Sequence, residues 1–186
     1  MTIIDAGVVE DGDRSAGAHE FMPATLKRAK SFKPCPIEAG DEVFRNGIFE
    51  FNITRLSAFV EAQPERFAVE SVSVASIPGY GDSHLDPATV DVADLSRPIL
   101  FAEIAPGRFN LIDGNHRTRK ARRDGVPTVM ARKVGCPHHV AFLTSMRAYE
   151  AYVEYWNGKV KDMQPSRRKR ASRPRGSFGH PLISRT

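Results

Sequence analysis

Long apolar runs are missing from this 186-residue chain, and no segment reads as long enough to span a bilayer. The first residues, Met1-Thr2-Ile3-Ile4-Asp5, carry neither a basic leader nor an apolar stretch behind one, so the sequence reads as a protein that is not exported. Cysteine is scarce. Cys35 and Cys136 lie far apart and form no ligand pair, which excludes a disulfide framework and fits reduced thiols in a cytoplasmic protein. His138 and His139 follow Cys136, but no second Cys/His group stands at a spacing that would complete a zinc site. The two histidines read as the start of a short helix, one packed and one exposed. There is no internal repeat.

What is present is apolar material for one core, at 41% of residues, and a net charge of +5 that is unevenly placed. Residues 161–186 hold eight of the 27 Lys/Arg and one of the 22 acids, so they carry +7 and the remainder carries −2. The high isoelectric point therefore belongs to the tail, not to the folded body. Arg167, Arg168, Lys169, Arg170, Arg173 and Arg175 are too densely charged to build a core. They read as a flexible segment that binds DNA non-specifically through counterion release, or else an acidic patch on a partner protein.

The chain divides into a loosely structured arm over 1–39, a domain over 40–160 and the tail. In the domain, Asn52 caps a helix with Ile53, Leu56, Phe59 and Val60 at helical spacing, closed by Pro64. Val69 to Ile77 alternates as a half-buried strand. Pro78 to Arg97 is a long connection. Ile99 to Ile104 is an apolar run that reads as an interior strand, Pro106-Gly107 is a turn, and Arg108 to Ile112 returns as a strand. A helix over His116 to Asp124 stops at Gly125, and a strand follows over Val126 to Val134. Beyond a short helix over His138 to Leu143, a helix runs from Ser145 to Asn157-Gly158. Its Tyr149, Tyr152, Val153 and Trp156 form a core-facing stripe, with Tyr155 at its edge. The fold class is α/β (α+β), a small mixed sheet with helices packed on it.

The most informative segment is Asp113-Gly114-Asn115-His116-Arg117, where a strand turns directly into a helix. Such a corner aims free backbone N–H groups and a positive dipole end at one point, which suits a phosphate. His116 and Arg117 add charge-assisted donors. The competing reading is an ordinary helix start capped by Asn115. Glu103, the one charge in an interior-looking strand, is a candidate general base or magnesium (Mg2+) ligand. Asp113 is a second candidate ligand, or simply a carboxylate that holds the turn.

The order strand, turn, strand, Asp-Gly-Asn-His-Arg, helix, Gly, strand over Pro98 to Val134 resembles the ParB/sulfiredoxin-like superfamily, and Asp86-Pro87 resembles its upstream Asp-Pro element. Gly114 to Arg117 align with the Gly-Glu-Arg-Arg box of ParB proteins and the Gly-Cys-His-Arg box of sulfiredoxins, which place nucleotide phosphates there. Asn115 stands at the nucleophilic cysteine position, so sulfinic-acid reduction is excluded. Thr89 stands where sulfiredoxins carry a lysine toward the nucleotide. About fifty residues follow Val134, too few for the DNA reader and dimerisation region of a partitioning ParB. The resemblance therefore implies a standalone member, similar in size and tail to plasmid fertility-inhibition proteins of the Osa type.

It implies ATP or another nucleotide as ligand and ATP hydrolysis and/or DNA cleavage as chemistry. Gly114, Asn115, His116 and Arg117 would bind phosphate, while Glu103 or Asp113 would hold magnesium or orient water. A small-molecule kinase using the same loop is the first alternative. A non-catalytic regulator docking on a protein of a conjugation system is the second.

Overall fold

The structure is a computed structural model and describes residues 23–79 and 85–164. Strands β1 (Val43–Asn46) and β2 (Phe49–Asn52) form an antiparallel hairpin. Gly47, the first of the two turn residues, has φ +63°, a conformation that a two-residue hairpin turn demands and glycine supplies without strain. This hairpin is absent from the sequence reading. Its signal is a glycine between two short runs rich in phenylalanine.

β2 passes straight into helix α1 (Ile53–Glu61) at Asn52, the expected cap. The fully buried Asn52 accepts from the Arg55 amide at 3.0 Å and donates to the Pro36 carbonyl at 2.9 Å and to Asp41 Oδ2 at 2.7 Å. One side chain thus ties hairpin, helix and N-terminal segment together.

The main sheet is four-stranded and mixed. It contains β3 (Glu70–Ser73), β4 (Ile99–Ala105), β5 (Arg108–Asp113) and β6 (Thr128–Val134) in the order β3-β6-β4-β5. β4 and β6 run parallel and the other pairs are antiparallel. β4 is central and buried at every position except Glu103, as its apolar run implies. Strand alternation divides the core. Ile99, Phe101, Leu111, Val129 and Ala131 face α3 (Asn115–Arg123), which contributes Ala121. Leu100, Ala102, Ile112 and Val134 face α1, the hairpin and α4 (Met146–Met163), which contributes Tyr149, Tyr152, Val153 and Trp156. The architecture is a small α+β fold. No helix among the described residues is long and apolar enough to cross a membrane.

Three elements differ from the sequence reading. β3 ends at Ser73 and Val74–Ser76 winds into a 3-10 turn, with the Ser76 hydroxyl bonding the Ser73 carbonyl. The long connection contains a short helix, α2 (Pro87–Asp91), capped by Asp86. α4 runs through Gly158 to Met163. Val160 continues the buried stripe one turn beyond Trp156, and its burial outweighs the roughly 1 kcal/mol that glycine costs a helix.

Residues 23–41 have neither helix nor strand, yet Ala24 to Phe32 lie along α4, while Pro36 and Asp41 are held by Asn52. Trp156 Nε1 donates to the Ala24 carbonyl at 3.0 Å, Asn157 brackets the Leu26 backbone, and Phe32 stacks on Tyr149 with centroids 3.9 Å apart.

Candidate functional site

The corner between β5 and α3 is built on Gly114, at φ +98° and ψ 22°. A Cβ here would lie 2.4 Å from Ile99 Cγ2 and 2.8 Å from Ile99 Cβ, so both the backbone conformation and the approach of β4 require glycine. Gly114, not Asn115, is the N-cap, and no side chain caps the helix. The first intrahelical bond runs from the Thr118 amide to the Gly114 carbonyl at 2.8 Å. The amides of Asn115, His116 and Arg117 therefore lack helical acceptors, and the positive dipole end points the same way.

Asn115 and His116 border a cavity of about 560 Å3, lined with Gly114 on this side and with Glu42, Phe44, Arg45 and Asn46 on the other. Ile112 and Leu85 complete its apolar walls. The hairpin thus forms half of the site. No local motif marks Glu42, whose main chain is held by Thr54 Oγ1 and the Ile53 amide, both at 2.8 Å. Asp86 lies near enough to His116 to feel its charge. Hydrogen bonds from the Thr89 hydroxyl and amide hold the Asp86 carboxyl below the usual carboxylate range. Thr89 is thereby engaged at the cap of α2.

Arg117 does not point into this cavity. Its Nη2 donates to Asp113 Oδ2 at 2.9 Å and to the Pro98 carbonyl at 3.3 Å, and its Nε is buried without a partner. The expectation that its guanidinium neutralises phosphate is corrected by this geometry. Asp113, one helical turn away, holds it on the far side of the corner, facing an adjoining cleft of about 250 Å3. Glu42 and Asp113 border both spaces.

Glu103 is also not at the corner. It pairs with Phe109 near the β4–β5 turn, whereas Asp113 pairs with Leu100 at the other end of the same ladder. Three strand positions separate Leu100 from Glu103, or about 10 Å. The Glu103 carboxylate accepts from the Gly107 amide at 2.8 Å and the Cys136 amide at 3.2 Å. It secures a turn and the start of the loop after β6. Glu103 and Asp113, the two alternative magnesium ligands, thus stand at opposite ends of the β4–β5 ladder, and only Asp113 lies at the corner. Among the described residues no group of three or more His, Cys, Asp or Glu is placed to hold a metal ion.

Behind Glu103 lies a buried polar cluster. His139 Nε2 is 2.7 Å from the Glu103 carbonyl oxygen, so this nitrogen carries the proton, and the Tyr152 hydroxyl donates to the same oxygen at 2.8 Å. Burial pushes the nearby Cys136 thiol up to about 11, so it is protonated and unreactive near neutrality.

The cations of α3 are engaged too. Lys120 Nζ donates to the Ala93 carbonyl at 3.0 Å, Arg122 donates to the Ile77 carbonyl, and Arg123 pairs with Asp91 and Asp124. They fasten the connection after β3 onto the helix that carries the corner. The tail residues Arg167, Arg168, Lys169, Arg170, Arg173 and Arg175 lie outside the described residues.

Comparison of the chain with protein-family models finds no match, and comparison with curated proteins finds none.

Proposed function

We propose that the chain binds the phosphate of ATP or another nucleotide at the N-terminus of α3 and acts on or near DNA as a standalone ParB/sulfiredoxin-like protein. The observation that carries this reading is the uncapped helix start at Gly114 opening onto the 560 Å3 cavity. That volume falls within the roughly 300–1,000 Å3 of small-molecule sites. The free amides supply donors, His116 adds a further one, and the apolar walls suit the rest of a nucleotide. The parallel pairing of β4 with β6 around this corner agrees with the order of elements on which the resemblance rests.

Hydrolysis of the phosphate chain is the chemistry this arrangement suits. Glu42 borders the cavity where a carboxylate can orient water, the role the sequence offers to Glu103 or Asp113. Asp113 instead positions Arg117. A fertility-inhibition role would place this activity in conjugation, with a protein of that system as partner.

Titration calorimetry and thermal shift with ATP, ADP and CTP test the reading. A ligand at a hundred times its Kd adds about 2.7 kcal/mol of stability. Asn115→Asp separates binding from folding. A carboxylate in the first turn should stabilise α3 by about 0.3–1 kcal/mol, yet repel phosphate and weaken its binding about tenfold or more. Unchanged affinity in this variant would count decisively against a phosphate at the corner.

The adjoining 250 Å3 cleft favours a second reading, a small-molecule kinase whose acceptor sits beside Glu42 and Asp113. Product analysis with ATP and candidate acceptors distinguishes transfer from hydrolysis. Removing residues 165–186 should leave nucleotide affinity unchanged and abolish salt-sensitive DNA binding. A regulator that docks through the folded body would keep its effect after the same truncation.

A further inference from the structure

We infer that the hairpin side of this cavity is a nucleobase subsite, with Asn46 as its specificity-determining residue. The inference rests on the nucleotide reading above and identifies which part of the ligand the hairpin reads.

Asn46 ends β1 and stands against Asn110 of β5, whose Nδ2 reaches Asn46 Oδ1 only at 3.5 Å, the outer limit of a hydrogen bond. Among the described residues this weak contact is the Asn46 side chain's partner, so a half-buried, water-accessible amide with two donors to offer lines the cavity. Asn110 precedes Asp113 by three residues on the same strand. The amide and the phosphate corner are therefore about 10 Å apart along β5. Phe44 and Ile112 wall the space they share.

Arg45, the cation of the hairpin, also lines the cavity and pairs with Glu50 at 2.5 Å in an exposed ion pair, so it is placed beside the base end rather than at the α3 amides. A bare phosphate or a sugar phosphate at the corner would leave the amide and the apolar walls to water. A nucleotide bridges the two ends. Its phosphate takes the α3 amides, and its flat base lies against Phe44 with a polar edge on Asn46.

The experiment compares inorganic tripolyphosphate with ATP, GTP, CTP and UTP by calorimetry on the full chain and on Asn46→Ala. The two turn residues are Gly47 and Ile48, so this substitution leaves the turn residues themselves unchanged. Asn46→Asp is a second variant, and the melting temperature of each reports folding. The expected result is that at least one nucleotide binds the wild type about tenfold or more tighter than tripolyphosphate. Asn46→Ala should lose that preference and keep tripolyphosphate affinity within about twofold.

Equal affinity for nucleotides and tripolyphosphate would overturn the base subsite while the phosphate corner stands. So would an unchanged nucleotide preference in a folded Asn46→Ala. If neither class of ligand binds, the phosphate reading itself fails and the subsite falls with it.

Discussion

Gly114→Ala should lower stability by about 2–5 kcal/mol and abolish ligand binding at the corner. Two effects add. A residue with a Cβ in the left-handed region is strained by about 1–2 kcal/mol. The new methyl also enters a packed core at 2.4 Å from Ile99 Cγ2, an overlap relieved only by moving β4 or α3, for a further 1–3 kcal/mol or so. Gly125→Ala is the control, because Gly125 is also left-handed at φ +69° but has open space around its Cβ position. It should show the strain without the collision. Urea unfolding measures both, with the slope of free energy against denaturant held constant. Equal losses in the two variants would show that the approach of Ile99 does not define the corner.

The second large effect is a loss of stability in mild acid. His139 is fully buried, and desolvation pushes its pKa down from 6.5 to about 4. Its folded value lies below its unfolded value, so the unfolded chain takes up a proton first as pH falls. The stability is fully present above about pH 6.5 and is lost progressively toward pH 4, by about 3 kcal/mol in all. His138, which burial and Arg66 also push down, contributes with the same sign. Asp41, Glu50, Asp86 and Asp94 are held below their ordinary values by hydrogen bonds, so their stabilisation is lost only at lower pH. The histidine window and the carboxylate window are thus separable. His139→Gln keeps a donor near the Glu103 carbonyl but cannot titrate. Chemical denaturation between pH 7 and pH 4 should show a markedly flatter profile for this variant, and an unchanged profile would remove His139 as the cause.

Both effects trace to residues whose local settings differ in legibility. The Asp113-Gly114 corner is readable because a glycine between a strand pattern and a helix pattern has few conformational meanings. The Asn52 cap, the apolar run of β4 and the aromatic stripe of α4 are readable for the same reason. Each is encoded within one helical turn or a few strand residues. The hairpin is less legible, because each strand is only four residues long and β1, Val-Phe-Arg-Asn, does not alternate. The end of α4 is misread because glycine is a local stop signal, whereas the burial of Val160 depends on what lies opposite it.

The amino-acid sequence by itself determined the class of fold, the strand-to-helix corner with its uncapped amides, and the separation of a charged tail from a nearly neutral body. Only the tertiary structure decided which side chains meet that corner. It brought Glu42, Phe44 and Asn46 to the cavity, turned Arg117 toward Asp113 and Pro98, and left Glu103 about 10 Å away at the other end of β4. The physical reason is that backbone conformation answers to neighbours a few residues away. The direction of a long charged side chain, by contrast, is chosen by partners that folding delivers from distant parts of the chain, as β5 meets a hairpin 64 residues before it at Asn46 and Asn110.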